Sequence, residues 1–237
     1  MENQNSNPQI FEAEYDEEGV YFYQAYCDEI ANYAIEHQTF GGELFNPLRM
    51  TWIKPSFAWM LYRAGYGTKH NQERILKIKI SHKSLSELLN NCTCKDGGGG
   101  SFGRVQWDPA RDLFTCENGE PRKILNKRAI QIGLKGRLSA LYVKSIISIE
   151  DYTELAHLIG ITHGVFIINN NGILVKNKKR INILFTDELL KKLPKERKYI
   201  PLCDKNILEN LGLVEGIVAN NVSKLGKGKY KLLNTNH

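Results

Sequence analysis

The sequence predicts an α+β fold, mainly antiparallel, and three observations carry that expectation. Strand-like and helix-like segments succeed one another without the regular alternation of strand and long helix that a doubly wound sheet requires. The first strand-like run, Val20–Tyr26, is not followed by the glycine fingerprint of a dinucleotide fold. From Arg74 to Ser81 residue types alternate, Leu76, Ile78 and Ile80 against Lys77 and Lys79, as in a strand with one wet face.

Taken in order, residues 1–18 are polar and acidic and are expected to be a poorly ordered lead. Val20–Tyr26, rich in Val, Tyr and Phe, reads as a strand. It runs into a helix from Asp28 to His37, whose stripe is Ile30, Ala31, Ala34 and Ile35 and whose first turn holds Asp28 and Glu29 at the positive end of the dipole. Phe40-Gly41-Gly42 closes that helix. Arg49–Ile53 reads as a second strand, with Pro55 at the first position of the next helix, Lys54 and Ser56 at its start, and Gly65 and Gly67 at its exit. After the strand at 74–81, Ser84 and Glu87 fit a capping box ahead of a short helix.

The run Asp96–Gly103, with four consecutive glycines, reads as a loop; it lacks the Lys-Ser/Thr that follows a phosphate-cradling loop, so a linker or lid tip is the plainer reading. Arg104–Asp108 is a short strand and Arg128–Leu134 a longer one, with Ala129, Gln131 and Gly133 on one face and Ile130, Ile132 and Leu134 on the other. Leu138, Leu141, Tyr142 and Ile146 suit a helix, and Asp151–Ile159 a short one. Val165–Ile168 and Ile173–Val175 form a hairpin around Asn169–Gly172, Ile181–Phe185 adds a strand, and Thr186 starts a helix. Asp204–Leu211 is a helix followed by a hairpin around Lys224–Lys231. That gives an acidic lead at 1–18, one α+β domain at 19–200, and an appendage at 201–237 that reads as a stabilising hairpin or a small winged unit touching nucleic acid.

The 237 residues carry a net charge of +6, unevenly spread. No Lys or Arg precedes Arg49, while Glu12, Glu14, Asp16, Glu17, Glu18, Asp28 and Glu29 crowd the start. One reading is a solvated lead with ordinary surface lysines; the other is a basic surface for a phosphate-bearing partner, with the acidic lead lying against it. The N-terminus has neither the positive flank nor the apolar run of a secretory signal, and no stretch is apolar enough to span a bilayer, so a soluble cytoplasmic protein without a membrane partner is expected. Five cysteines fit reduced thiols. Cys92, Cys94 and Cys116, even with His82, miss the spacing of a zinc knuckle, and no metal site is expected.

The segment from Arg49 to Arg63, RMTWIKPSFAWMLYR, interleaves two tryptophans with cations and hydroxyls, a mixture that suits the wall of a binding site. Together with VYFYQAY at 20–26, the Phe40-Gly41-Gly42 turn, Gln72-Glu73-Arg74, VQWD at 105–108, RAIQIGL at 128–134 and LPKERKY at 193–199, it resembles the family known as domain of unknown function 4291. That name implies no activity. The order of these elements is also similar to the layout of the ADP-ribosyltransferase superfamily, which implies a split sheet with flanking helices and an NAD cleft between two small sheets. That resemblance places Gln24 or Tyr26 at the nicotinamide, with Ser56 supporting it and Trp52 or Tyr62 stacking, and puts Gln131 where members usually carry Glu. Arg49, Lys54, Arg63, Arg74 and Arg128 are its phosphate-holding candidates.

Chemistry tests the mapping. Cleaving the glycosidic bond of NAD creates an oxocarbenium-like centre that a carboxylate stabilises far better than an amide, so Gln131 is a departure that weakens the transferase reading and leaves open a version acting on RNA or phosphate ends. The alternative to a transferase is a noncatalytic nucleic-acid-binding module, in which Trp52, Trp59 and Trp107 stack on bases beside Arg49, Lys54, Arg63, Arg104 and Arg111. Against it, helical spacing lets Trp59 and Met60 be core residues. A nucleotidyltransferase reading of Lys95-Asp96-Gly97 fails because the residue between Lys and Asp is missing.

Overall fold

The computed structural model describes residues 9–94, 102–114, 116–117, 120–121, 124–177 and 185–213. In chain order the elements are β1 (Glu12–Ala13), β2 (Gly19–Tyr26), α1 (Asp28–His37), β3 (Thr51–Ile53), α2 (Phe57–Ala64), β4 (Arg74–Ser81), α3 (His82–Asn90) and β5 (Cys92–Cys94). Then come β6 (Gly103–Arg111), β7 (Cys116–Glu117), β8 (Glu120–Pro121), β9 (Ile124–Leu134), α4 (Arg137–Lys144), β10 (Ile146–Asp151) and α5 (Thr153–Thr162). The described chain ends with β11 (Phe166–Ile168), β12 (Leu174–Lys176), α6 (Asp187–Lys192), β13 (Arg197–Lys198) and α7 (Lys205–Asn210).

The fold is α+β, with two principal sheets. One has the order β10-β4-β2, all antiparallel; the other has the order β3-β9-β6-β5, antiparallel except for the β5–β6 pair. They meet at one bridge, where Tyr23 N–H donates to the Lys54 carbonyl at 2.7 Å and Lys54 N–H to the Tyr23 carbonyl at 3.3 Å. A first core joins the inner faces of both sheets, through Phe22, Ile78, Ile80, Ile53, Ile130, Ile132 and Leu134, to α1, α3 and α4. A second packs Tyr23 and Ile75 against α2 and α5, with Leu189 and Leu193 closing it.

Several local expectations change. Ser56 is the N-cap of α2, its hydroxyl accepting from Trp59 N–H at 3.4 Å, so Pro55 lies outside the helix. Ser81 caps α3 by accepting from Ser84 N–H at 3.1 Å and displaces the expected Ser84/Glu87 box. Ile146 and Asp151 belong to β10, because that edge pairs with β4 instead of lengthening the neighbouring helices. The strand expected at Ile181–Phe185 and the hairpin around Lys224–Lys231 fall wholly or largely outside the described residues. The appendage packs inward as far as it is described, since Leu208, Leu211 and Leu213 belong to the first core.

The largest change concerns the lead. From Gln9 onward it is built into the fold: Phe11 and Ala13 are buried, β1 pairs with β13, and the chain doubles back so that Tyr21 N–H donates to the Glu14 carbonyl. Lys77 and Lys79 are therefore buried rather than wet, because the acidic strap lies over them.

Candidate functional site

Pairing of β3, β9 and β6 sets Trp52 opposite Gly133, Gln106 opposite Gln131 and Asp108 opposite Ala129. Side chains alternate along a strand, so Ile53, Val105, Ile130 and Ile132 enter the core while Trp52, Arg104, Gln106, Asp108 and Gln131 share the other face, which Lys54, one residue past β3, joins through its electrostatic interaction with Asp108. A Cβ at Gly133 would stand 2.9 Å from the Trp52 ring and from Met50 Sδ, so the bare backbone there lets the indole lie against the sheet.

At the centre of this face is Asp108, 9 % exposed. The Gln106 amide donates to its Oδ1 at 2.8 Å and the Gln131 amide donates to its Oδ2, so one oxygen is oriented from the same strand and the other from the neighbouring β9. Lys54 is 8 % exposed, and its Nζ has a carbonyl contact with Trp52 at 3.5 Å. Burial, with Arg63 as a like charge, pushes its ammonium down to about 8, against the opposing pull of Asp108. Helix α2 covers one end of the face, Trp59 packing on Ala110 and Ala129. A bulge between Pro109 and Arg111 turns the Arg111 guanidinium onto the Tyr62 ring at 3.9 Å, and Tyr62 stacks on Trp59 at 5.2 Å.

The sequence-predicted site residues do not converge on one pocket. Trp52, Lys54 and Gln131 share this face, and Arg63 acts on Lys54 from the last turn of α2. Gln24 is buried elsewhere with both ends engaged: its Oε1 accepts from the Tyr142 hydroxyl at 2.7 Å and its Nε2 donates to the Tyr26 hydroxyl at 3.0 Å and the Trp52 carbonyl at 3.3 Å. Tyr26 also bonds Thr51, and burial raises its phenol; Arg49 is exposed and acts on that phenol rather than on Lys54. Ser56 is directed to Glu196, whose Oε1 accepts from Phe57 N–H at 2.6 Å. Burial pushes the Glu196 carboxyl up to about 7, which that N–H opposes. Arg128 is exposed and alternates onto the opposite face from Gln131. Arg74 is locked by Asp28, Asn32 and Asp151.

Two of the three tryptophans are taken by packing. Trp59 is 6 % exposed, and Trp107 packs on the first core with its Nε1 donating to the Leu211 carbonyl at 2.9 Å. An open groove of about 590 Å³ beside α5 and α6, lined by Glu14, Tyr152, Leu155, Lys191 and Lys195 among others, includes none of the predicted positions. Sequence reasoning passed over Asp108, Gln106 and Glu196. The alternation of Arg104–Asp108 carried the first two, but the strand that faces them is not readable from spacing.

Among the described residues no group of three or more His, Cys, Asp or Glu is placed to hold a metal ion, and no helix is long and apolar enough to cross a membrane. Comparison with curated proteins gives no match. A family model described as domain of unknown function (DUF4291) matches residues 10–165, a span that holds both sheets and every residue of the Lys54–Asp108–Gln131 face. The chain belongs to the DUF4291 family.

Proposed function

We propose that the Lys54–Asp108–Gln131 face is the substrate site of an ADP-ribosyltransferase-like enzyme that acts at the glycosidic carbon of a nucleotide or nucleic-acid substrate, with NAD as the candidate cosubstrate. One observation carries the reading: a carboxylate, Asp108, is held by two amides beside the position where the layout lacked one. A charge aimed in advance at a developing oxocarbenium centre stabilises it without reorganisation. Trp52 offers a flat apolar surface for a base or nicotinamide ring, and Arg63 and Arg104 supply cations for phosphates. Gln131 then serves as the orienting partner of the carboxylate. Gln24 supports the floor through the Trp52 carbonyl, and Ser56 belongs to the helix cap.

Noncatalytic nucleic-acid binding is the second reading, favoured by Trp52 and Arg104 on one half-buried face. With Trp59 buried and Trp107 half-buried against the first core, its Nε1 bonded to Leu211, one of its three stacking residues remains.

The test is release of nicotinamide from NAD by the purified protein, with and without RNA, compared with Asp108→Asn. Turnover that falls by about a hundredfold or more in the variant is the expected result for loss of a preorganised charge. Absence of turnover and of any thermal shift with NAD, together with salt-sensitive RNA binding, would replace the enzyme with the binding module.

A further inference from the structure

We propose that Lys54 is a nucleophilic amine that condenses with the aldehyde of an anionic sugar, forming an imine and releasing water. The inference rests on the reading above for its substrate class: hydrolysis at a glycosidic carbon leaves a ribose whose opened ring presents an aldehyde at that carbon.

The argument starts from three buried lysines. Lys77 Nζ is 2.9 Å from Glu14, and Lys79 Nζ is 2.9 Å from Asp16 and 2.5 Å from Glu18. Lys54 is as deeply placed, yet no ion pair forms at its Nζ among the described residues, and the first charged group acting on it is a cation, Arg63. An ammonium that is desolvated and set beside a like charge loses its proton readily, which is how an amine is activated toward carbonyls. Its midpoint of about 8 leaves a useful fraction neutral near physiological pH. The charged groups acting on it are Arg63 from α2 and Asp108 from β6.

Position supports the same conclusion. The backbone of Lys54 makes reciprocal bonds to Tyr23, which set the start of its stem where the two sheets meet. Asp108 is oriented by Gln106 and Gln131 on the same face and can carry protons. In the reaction Nζ bonds to the carbonyl carbon, the carbon–oxygen bond breaks, and both amine protons leave with that oxygen as water. Asp108 relays a proton from nitrogen to oxygen, and no oxidant or reductant is consumed. Arg63 and Arg104 select a substrate that carries phosphate.

The experiment traps the imine. The full chain is incubated with ribose 5-phosphate or ADP-ribose and cyanoborohydride, and the adducts are located by peptide mass mapping between pH 6.5 and 10. Labelling of Lys54 about tenfold faster than the mean of the other lysines is expected of an activated amine. Its rate should rise through about 8, well short of the ordinary 10.5. Arg63→Gln should move that profile to higher pH, because it removes the like charge. Label spread evenly over exposed lysines, or a Lys54 profile still rising at pH 10, overturns the proposal. Lys54 labelling without NAD turnover leaves the amine standing and removes the transferase reading; NAD turnover without Lys54 labelling does the reverse.

Discussion

Lys77 and Lys79 on the three-stranded sheet and Lys54 on the four-stranded sheet are buried to the same degree, and the protein treats them in opposite ways. Over the first pair lies an acidic strap. Burial alone would lower both ammonium groups, but Tyr152 and Glu14 raise Lys77, and Glu18 and Asp16 raise Lys79. Asp16 in turn is held well below the usual carboxylate range, hydrogen bonds from Lys79, Tyr21 and two backbone N–H groups outweighing its partial burial. Tyr21 adds a ring 4.2 Å from Lys77 Nζ. Lys54 has no such partner, and its ammonium is lowered. A charge compensated from within its own chain reads as architecture; a buried charge left uncompensated reads as a place where something else binds or reacts.

Breaking the compensated side should have the largest effect. Glu14→Ala leaves Lys77 buried without its carboxylate and should cost about 3 kcal/mol, read as a lower urea midpoint with an unchanged slope. Lys54→Met should act in the opposite direction. The folded-state midpoint of Lys54 lies below its unfolded value of 10.5, so its penalty is complete below about 8 and is relieved as pH rises toward 10.5. Replacing it with an apolar side chain should therefore stabilise the protein at pH 7 by about 2 kcal/mol, a gain that fades by pH 10 in melting curves.

Glu196 tests the helix start that follows Lys54. Its carboxyl is raised from 4.5 to about 7, so its favourable contribution is complete below 4.5 and lost as pH climbs through about 7. Glu196→Gln should thus be more stable than the parent at pH 8, by about 1 to 2 kcal/mol, and indistinguishable at pH 4.5. The smallest effect is expected of Gly133→Ala. The added Cβ forces Trp52 and Met50 off the sheet at a cost of about 1 kcal/mol, with a shift in tryptophan emission as the readout.

Much of the fold was legible. Strand β4 was read at its observed bounds and α1 at its own, because each has a clean period and terminal residues that agree with it. What was misread was the environment of β4: a period of two says which side chains share a face but not what covers that face, and the cover came from residues 12–18, more than fifty positions away. The site was legible in the same partial way. Trp52 and Lys54 stand out by residue type and Gln131 by its place in the layout, and the three come together, whereas Gln24 and Ser56, also chosen for order along the chain, proved to be a floor and a cap. Asp108 was hidden because a carboxylate beside a tryptophan looks like a surface residue until the glutamine reaching it from the neighbouring strand is known.

The bridge between Tyr23 and Lys54 has a mechanical consequence. Two hydrogen bonds are the only sheet-type pairing recorded between the two principal sheets among the described residues, so this seam is the softest line across which they can part. Opening it would move the Lys54 backbone relative to Asp108 while leaving each sheet intact. The amide protons of Tyr23 and Lys54 should therefore exchange with solvent sooner than those of Ile78 or Ile132. A ligand gripping both Lys54 and Asp108 would act as a clasp across the seam, and those two amides would be the first to slow.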